Sequence, residues 1–373
     1  MSSKLFTPIR LGGVELPNRI VVSPMCQYSA DDGSMTDWHM MHLGSLAVSG
    51  AGLLMIEATG VTREGRISHG CTGLYSDDNE AAMKRVVDAC RRVTRHPIGV
   101  QLGHAGRKGS AQVPWLGGKP LSSSESPWTT VAPSALPFAE GWHVPHELSD
   151  AELRVLVDAF AAAAGRARRI GLDVAELHSA HGYLIHQFLS PLSNRRGDRC
   201  GGGLEQRMRL PLEVARAVRE TWPRERALGA RITGSDWVDG GLTPEDAIAY
   251  ARELKAIGYD YVCVSSGGVS PLAHIKVEPG YQVPFAQAVK KAVPIAVRAV
   301  GMIADPVQAE EIVVSGKADM VALARGFLDD PRWVWHAAER LGAEAQYPPQ
   351  YARSRAALWP GAKLARGGLA QQG

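Results

Sequence analysis

Eight short apolar runs, rich in β-branched residues, lie at 19–23, 52–58, 98–102, 173–178, 228–232, 259–265, 295–300 and 319–324. Each is separated from the next by enough chain to return along the same direction. This alternation constrains the fold more than any other feature. Parallel strands covered on both faces read as near-continuous apolar runs, and each parallel neighbour needs a crossover of a dozen residues or more. Amphipathic stretches at 78–94, 149–170, 204–221, 243–257 and 305–315 supply crossovers. Several open on a start signal: Ser149-Asp150, Thr243-Pro244-Glu245 and Asp305-Pro306. A hydroxyl or carboxylate there accepts from the first free N–H groups, and proline gives up a donor that has no partner anyway. Eight strands in 373 residues favour an α/β fold of the (β/α)8 TIM-barrel type over an open doubly wound sheet.

The rhythm breaks once, at 103–145, a stretch rich in Gly, Pro, Ser and Trp. So long a connection inside a compact domain is usually functional, and after a third strand it would form a loop or hairpin over the catalytic face. Residues 1–345 read as one barrel domain. Residues 346–373 read as an extension that reaches a neighbouring subunit and ends in a mobile tail past Trp359.

Composition removes other classes. A net charge of +3, evenly spread, gives no nucleic-acid footprint. The start, MSSKLFTPIRL, lacks an apolar core of signal-peptide length, and nothing reaches the roughly 18 apolar residues of a membrane span. Five scattered cysteines make no CxxC cluster, so no disulfide framework, iron–sulfur centre or metal site is expected. Cys71, Cys90 and Cys263 read as core. A soluble, reducing, cytoplasmic setting follows.

Barrel enzymes build their sites at strand C-terminal ends. Those ends carry Ser23-Pro24-Met25-Cys26-Gln27-Tyr28, then Thr59-Gly60, then Gln101 with His104 and Arg107-Lys108 beyond it. The fourth run ends at His178 and is followed by His181 and Tyr183; the fifth ends beside Arg231. Two imidazoles can grip an oxygen, and a phenol that keeps its proton at neutral pH can deliver it to a carbanion. By itself a His-x-x-His pair more often packs or binds metal, but no carboxylate at suitable spacing completes a zinc set. The last two runs end in Val300-Gly301-Met302 and Ala324-Arg325-Gly326. Loops there commonly bind phosphate through backbone N–H groups, and Arg325 offers a bidentate contact.

The motifs SPMCQY, GHAGRK, HSAHGYLIHQFLSPLSNRR, PGYQVPFA, AVGMI and QYARS, in that order from about Leu5 to Arg353, resemble the Old Yellow Enzyme family of FMN-dependent ene-reductases. Cys26 and the QYARS ending point to its thermophilic-like branch, with xenobiotic reductase A. The resemblance implies bound FMN, reduced by NADPH or NADH in the same site in a ping-pong cycle. Ser23 would bind the cofactor, and Pro24, Met25, Cys26, Gly60, Gln101 and Arg231 would hold its ring, with Cys26 tuning its potential and Arg231 stabilising the anionic reduced form; Gly301 and Arg325 would hold the phosphate. His178 and His181 would polarise the carbonyl of an α,β-unsaturated substrate, flavin N5 would deliver hydride to the β-carbon, and Tyr183 would protonate the α-carbon. Tyr28 would touch the substrate. Arg353 would reach a neighbour's site, implying a homodimer or homotetramer. Cys200 and Gly203 depart from the Tyr and Ser more usual in the family, and Gly60 replaces a frequent Ala.

Three rivals remain in view. A dienoyl-CoA-type reductase carries a cysteine-ligated cluster, and this chain has no cysteine after Cys263. A quinone or nitro-compound reductase (a diaphorase) would share the flavin. A flavin-free barrel lyase would be colourless.

Overall fold

The computed structural model describes residues 3–365, so part of the expected tail, 366–373, lies outside the described residues. Its frame is a closed barrel of eight parallel strands, built from the eight runs in sequence order. They are β3 (Ile20–Val22), β4 (Leu53–Gly60), β5 (Ile98–Gly103), β8 (Val174–Ser179), β9 (Ala227–Thr233), β10 (Tyr261–Ser265), β11 (Ala296–Val300) and β12 (Met320–Leu323). β12 pairs with β3 to close the ring. A hairpin of β1 (Ile9–Leu11) and β2 (Val14–Leu16) plugs the N-terminal end, where Leu11 and Leu16 pack with Val21, Leu53, Met55 and Tyr261.

Helices cover the outside, and the sequence signals set their ends. Asp150–Ile170 starts at a capping box between Ser149 and Glu152 and stops at left-handed Gly171. Pro244–Ile257 is capped by Thr243, and Pro306–Val314 by Asp305. The stretch 204–221 differs from the single helix expected: it divides into Leu204–Arg207 and Arg209–Thr221. Pro211 has no N–H to offer the carbonyl four residues back, so the ladder is cut at that point. Helix Asp37–Ala47 was not expected, because its apolar residues make almost no one-sided stripe.

The insertion after β5 takes the loop form. It is organised by short 3-10 turns at Gly106–Lys108, Pro114–Leu116 and Ser123–Glu125. β6 (Val131–Ala132) and β7 (His146–Glu147) run parallel, so they are not the two arms of a hairpin.

Inside the barrel, side chains two apart along a strand share a face. β8 therefore directs Val174, Glu176 and His178 inward. Glu176 pairs with Arg298 of β11, accepts from Tyr261 Oη at 2.8 Å, and accepts from Gln101 Nε2 at 2.8 Å. Gly229 leaves room for this layer, since a Cβ there would sit 2.2 Å from the Tyr261 ring. Above Glu176 the next inward residue is His178, so the polar core leads directly to the barrel mouth.

Candidate active site

At the mouth, β8 ends in a turn that is not helical. His181 and Gly182 both adopt left-handed backbone, with φ of 59° and 73°. This turn folds the His181 ring back onto His178, the two ring centres 5.0 Å apart and nearly perpendicular. The Tyr183 ring stands 5.0 Å from His178 and 6.4 Å from His181. The three rings expected to act together do share one small volume.

Hydrogen bonds assign the imidazole protons. The Ala180 N–H donates to His178 Nδ1 at 3.2 Å, so the His178 proton resides on Nε2, which faces His181 Nδ1 at 3.3 Å. His181 Nε2 lies 2.8 Å from Ser265 Oγ, and Ser265 donates in turn to Gln282 Oε1 at 3.1 Å. Burial pushes both imidazoles well below their ordinary range, and the nearby Arg231 adds to the effect. Both rings are thus neutral near pH 7, each with one donor and one acceptor. Tyr183 is driven the other way: desolvation raises its phenol well above the usual value.

Arg231, inward on β9, is 8% exposed, yet its guanidinium finds little on the protein. Among the described residues its best contacts are the neutral hydroxyls of Ser23 at 3.4 Å and Ser265 at 3.5 Å, and Nε has no partner there. A buried cation this poorly satisfied suits an anionic group that comes from elsewhere. Beside it opens a cleft of about 550 Å3, lined by His181, Arg231, Gln282, Gly301, Met302 and Arg325 among others. Gly301 has φ of 111°, and a Cβ there would lie 2.3 Å from Gln282 Nε2, so only glycine allows the backbone to line the cleft. Arg325, exposed, opens the short helix Arg325–Asp329 on the same wall.

Across the mouth, Pro24, Met25, Cys26 and Tyr28 form a largely buried strip after β3. Burial, with Cys71 and Glu57 close by, pushes the Cys26 thiol well above its ordinary range. Tyr28, at φ of 51°, meets the edge of Trp115 from the insertion at 5.8 Å. Gly60 ends β4 beside a small apolar recess shared with Cys71, His178 and Tyr183. Gln101 sits one layer deeper, held by Glu176.

Two further residues belong to the site more firmly than their place in the chain indicated. Ser265 links His181, Arg231 and Gln282, and it is the last residue of β10. Reading the sixth strand's end like the others would have found it. Lys108 donates to the carbonyls of His181 at 2.8 Å and Gly268 at 2.9 Å, with its ammonium 5.2 Å from the Tyr183 ring centre. Desolvation and Arg107 lower its pKa to about 8. Arg353 is not brought to this cleft. It is exposed on the turn Pro349–Ser354, whose neighbour Tyr351 packs on Trp335 and Arg332.

An under-satisfied arginine beside a cleft walled by glycine and arginine, at the strands' C-terminal ends, suits an anionic, phosphate-bearing cofactor. The sequence matches the NADH:flavin oxidoreductase / NADH oxidase family model over residues 4–344, and the chain belongs to that family. It is 44% identical to an NADPH dehydrogenase of Geobacillus thermodenitrificans over 357 residues, 95% of this chain and 99% of that one. An NADPH dehydrogenase of Listeria monocytogenes is 42% identical over 354 residues, covering 94% and 99%. Among solved structures, morphinone reductase superposes with a TM-score of 0.75 at 29% identity, covering 94% of this chain and 93% of the other. A second morphinone reductase structure, in complex with tetrahydroNAD, gives 0.73 at 29% identity and covers 93% of each. The protein is an FMN oxidoreductase of the Old Yellow Enzyme type that takes electrons from a reduced nicotinamide. Among the described residues no helix is long and apolar enough to cross a membrane.

Proposed function

We propose that the enzyme reduces the C=C bond of α,β-unsaturated carbonyl compounds, with Tyr183 as proton donor. The observation that carries this reading is the neutral His178–His181 pair, with the Tyr183 phenol in the same volume, beside Arg231. FMN, when bound, supplies the hydride exchange, and the chain's own residues do the rest. Pro24, Met25, Cys26, Gly60 and Gln101 line or support the ring's place, with Ser23 backing Arg231, whose charge offsets the negative charge of a reduced ring. A carbonyl oxygen entering between the imidazoles takes over the His178 Nε2–H from its long 3.3 Å bond. When Ser265 turns its one hydroxyl proton from Gln282 to His181 Nε2, His181 carries its own proton on Nδ1, the nitrogen facing that oxygen. Tyr28 forms the outer wall.

Purified enzyme with NADPH and 2-cyclohexenone under argon should yield cyclohexanone, one mole per mole of NADPH. A yellow enzyme that consumes quinones or nitroarenes but leaves cyclohexenone intact would make the diaphorase reading correct. A colourless chain that refuses FMN would remove both.

The cofactor's phosphate belongs beside Gly301 and Arg325. Arg325→Ala should weaken FMN binding by about tenfold or more, as expected for a lost charge-assisted contact of roughly 1.5–3 kcal/mol. Riboflavin, which lacks the phosphate, should bind variant and wild type alike. Equal losses for both flavins would place the phosphate elsewhere.

We further propose a homodimer or homotetramer in a reducing cytoplasmic setting, where the five free cysteines stay as thiols. Exposed Arg353, in the extension that follows the barrel domain, would complete a neighbour's site. Light scattering that finds a monomer with full activity would exclude that role.

A further inference from the structure

The turn that brings His181 and Tyr183 together is an unfavourable one. A non-glycine residue at φ of 59° precedes Gly182 at 73°, and a Cβ at Gly182 would lie 2.1 Å from the Gly268 carbonyl oxygen. Such a backbone persists only where its surroundings over-determine it. Here both polar groups of Gly182 are captured by the helix that follows, Leu184–Leu189. The Gly182 N–H donates to His186 Nδ1 at 2.8 Å, and Gln187 Nε2 donates to the Gly182 carbonyl at 2.7 Å.

His186 is held from behind. Its Nε2 lies 2.8 Å from Asp236 Oδ1, and His186, Gln187 and Asp236 are all fully buried. The second Asp236 oxygen accepts from Ser190 Oγ at 2.7 Å and from the Leu242 N–H at 2.8 Å. Because Gly182 donates to Nδ1, the His186 proton must be on Nε2, and the carboxylate fixes that tautomer. An imidazole with its proton on the other nitrogen would turn a donor toward a donor at Gly182. None of these groups lines the cleft.

We propose that Asp236–His186 is a positioning dyad: through the Gly182 amide it holds the His181–Tyr183 turn in the geometry that grips and protonates substrate. The inference rests on the enone-reductase reading of that site. It adds a residue pair whose work is done at one remove from the reaction.

The test pairs two conservative variants of the holoenzyme. His186→Asn places an amide oxygen near the old Nδ1 position, where it can still accept from Gly182. His186→Gln places its amide nitrogen near the old Nε2 position, keeping Asp236 partnered but offering Gly182 nothing. FMN content and melting midpoint report folding. The expected result is that His186→Gln binds 4-hydroxybenzaldehyde at least tenfold more weakly and loses at least tenfold in kcat for 2-cyclohexenone. His186→Asn should stay within about threefold of wild type on both counts. A folded His186→Gln enzyme that binds the phenol as wild type does would overturn the proposal. A readout independent of variants is 15N NMR of histidine-labelled wild-type holoenzyme: His186 should show a bare Nδ1 and a protonated Nε2, and the opposite tautomer would equally overturn it. If wild type itself neither binds the phenol nor reduces the enone, the reading of the site fails, while the tautomer measurement still judges the dyad.

Discussion

Tyr183→Phe is expected to slow the reduction of 2-cyclohexenone by roughly 10²–10⁴-fold, the usual worth of a positioned general acid. The phenol is suited to that work by place. Its ring stands edge-on to His178, so the hydroxyl shares the volume in which a carbonyl gripped by the imidazoles would leave its α-carbon. The substitution removes one oxygen and leaves the ring, its contact with Lys108 and the turn intact. Burial keeps the phenol protonated far above pH 10, so in wild type this step should show no loss from Tyr183 ionisation on the alkaline side. Stopped-flow spectroscopy separates the two halves of the cycle: reduction of the flavin by NADPH needs no protonated carbon and should change by less than about threefold. Equal slowing of both halves would mean that Tyr183 shapes the site and delivers no proton.

How much of this was legible in the chain varied with the physics involved. Barrel strands announce themselves because both faces are buried, and their apolar runs survive without any partner being known. Strand ends then point to the mouth, which is why His178, Arg231 and Gly301 were found from order alone. Helix Asp37–Ala47 was hidden because its inner face mixes His39 with Leu43 and Leu46, and no periodic stripe results. The insertion's parallel β6–β7 pairing depends on contacts across 103–145 that no local pattern encodes. Roles that depend on which atom faces which were also out of reach. His186 read as one more residue of a motif; only the captured Gly182 amide shows what its ring holds. Lys108 read only as one of two basic residues beyond the third strand; its two carbonyl contacts show that its ammonium is tied down beside Tyr183.

The second large effect concerns stability and comes from the layer beneath the site. Glu176→Ala should destabilise the fold by about 3–5 kcal/mol, the cost of stranding a buried partner charge. Arg298 is fully buried, its Nε and Nη1 have no hydrogen-bond partner among the described residues, and the groups that face it are Cys263, the Glu176 carboxylate and the Tyr261 ring face at 5.1 Å. Burial opposes its charge, but Cys263, Glu176 and Tyr261 keep it protonated, so it cannot escape the cost by neutralising. Gln101 and Tyr261 would lose their acceptor as well. Against a total stability of about 5–15 kcal/mol, such a loss shows plainly in urea or thermal unfolding. The ion pair itself need not be a net source of stability, because taking both charges out of water costs about as much as their attraction returns. Glu176→Met combined with Arg298→Met should therefore recover most of the loss, since it removes both charges at similar volume. If the double variant is as unstable as Glu176→Ala, the layer's contribution lies in its shape and hydrogen bonds, with the stranded charge a minor part.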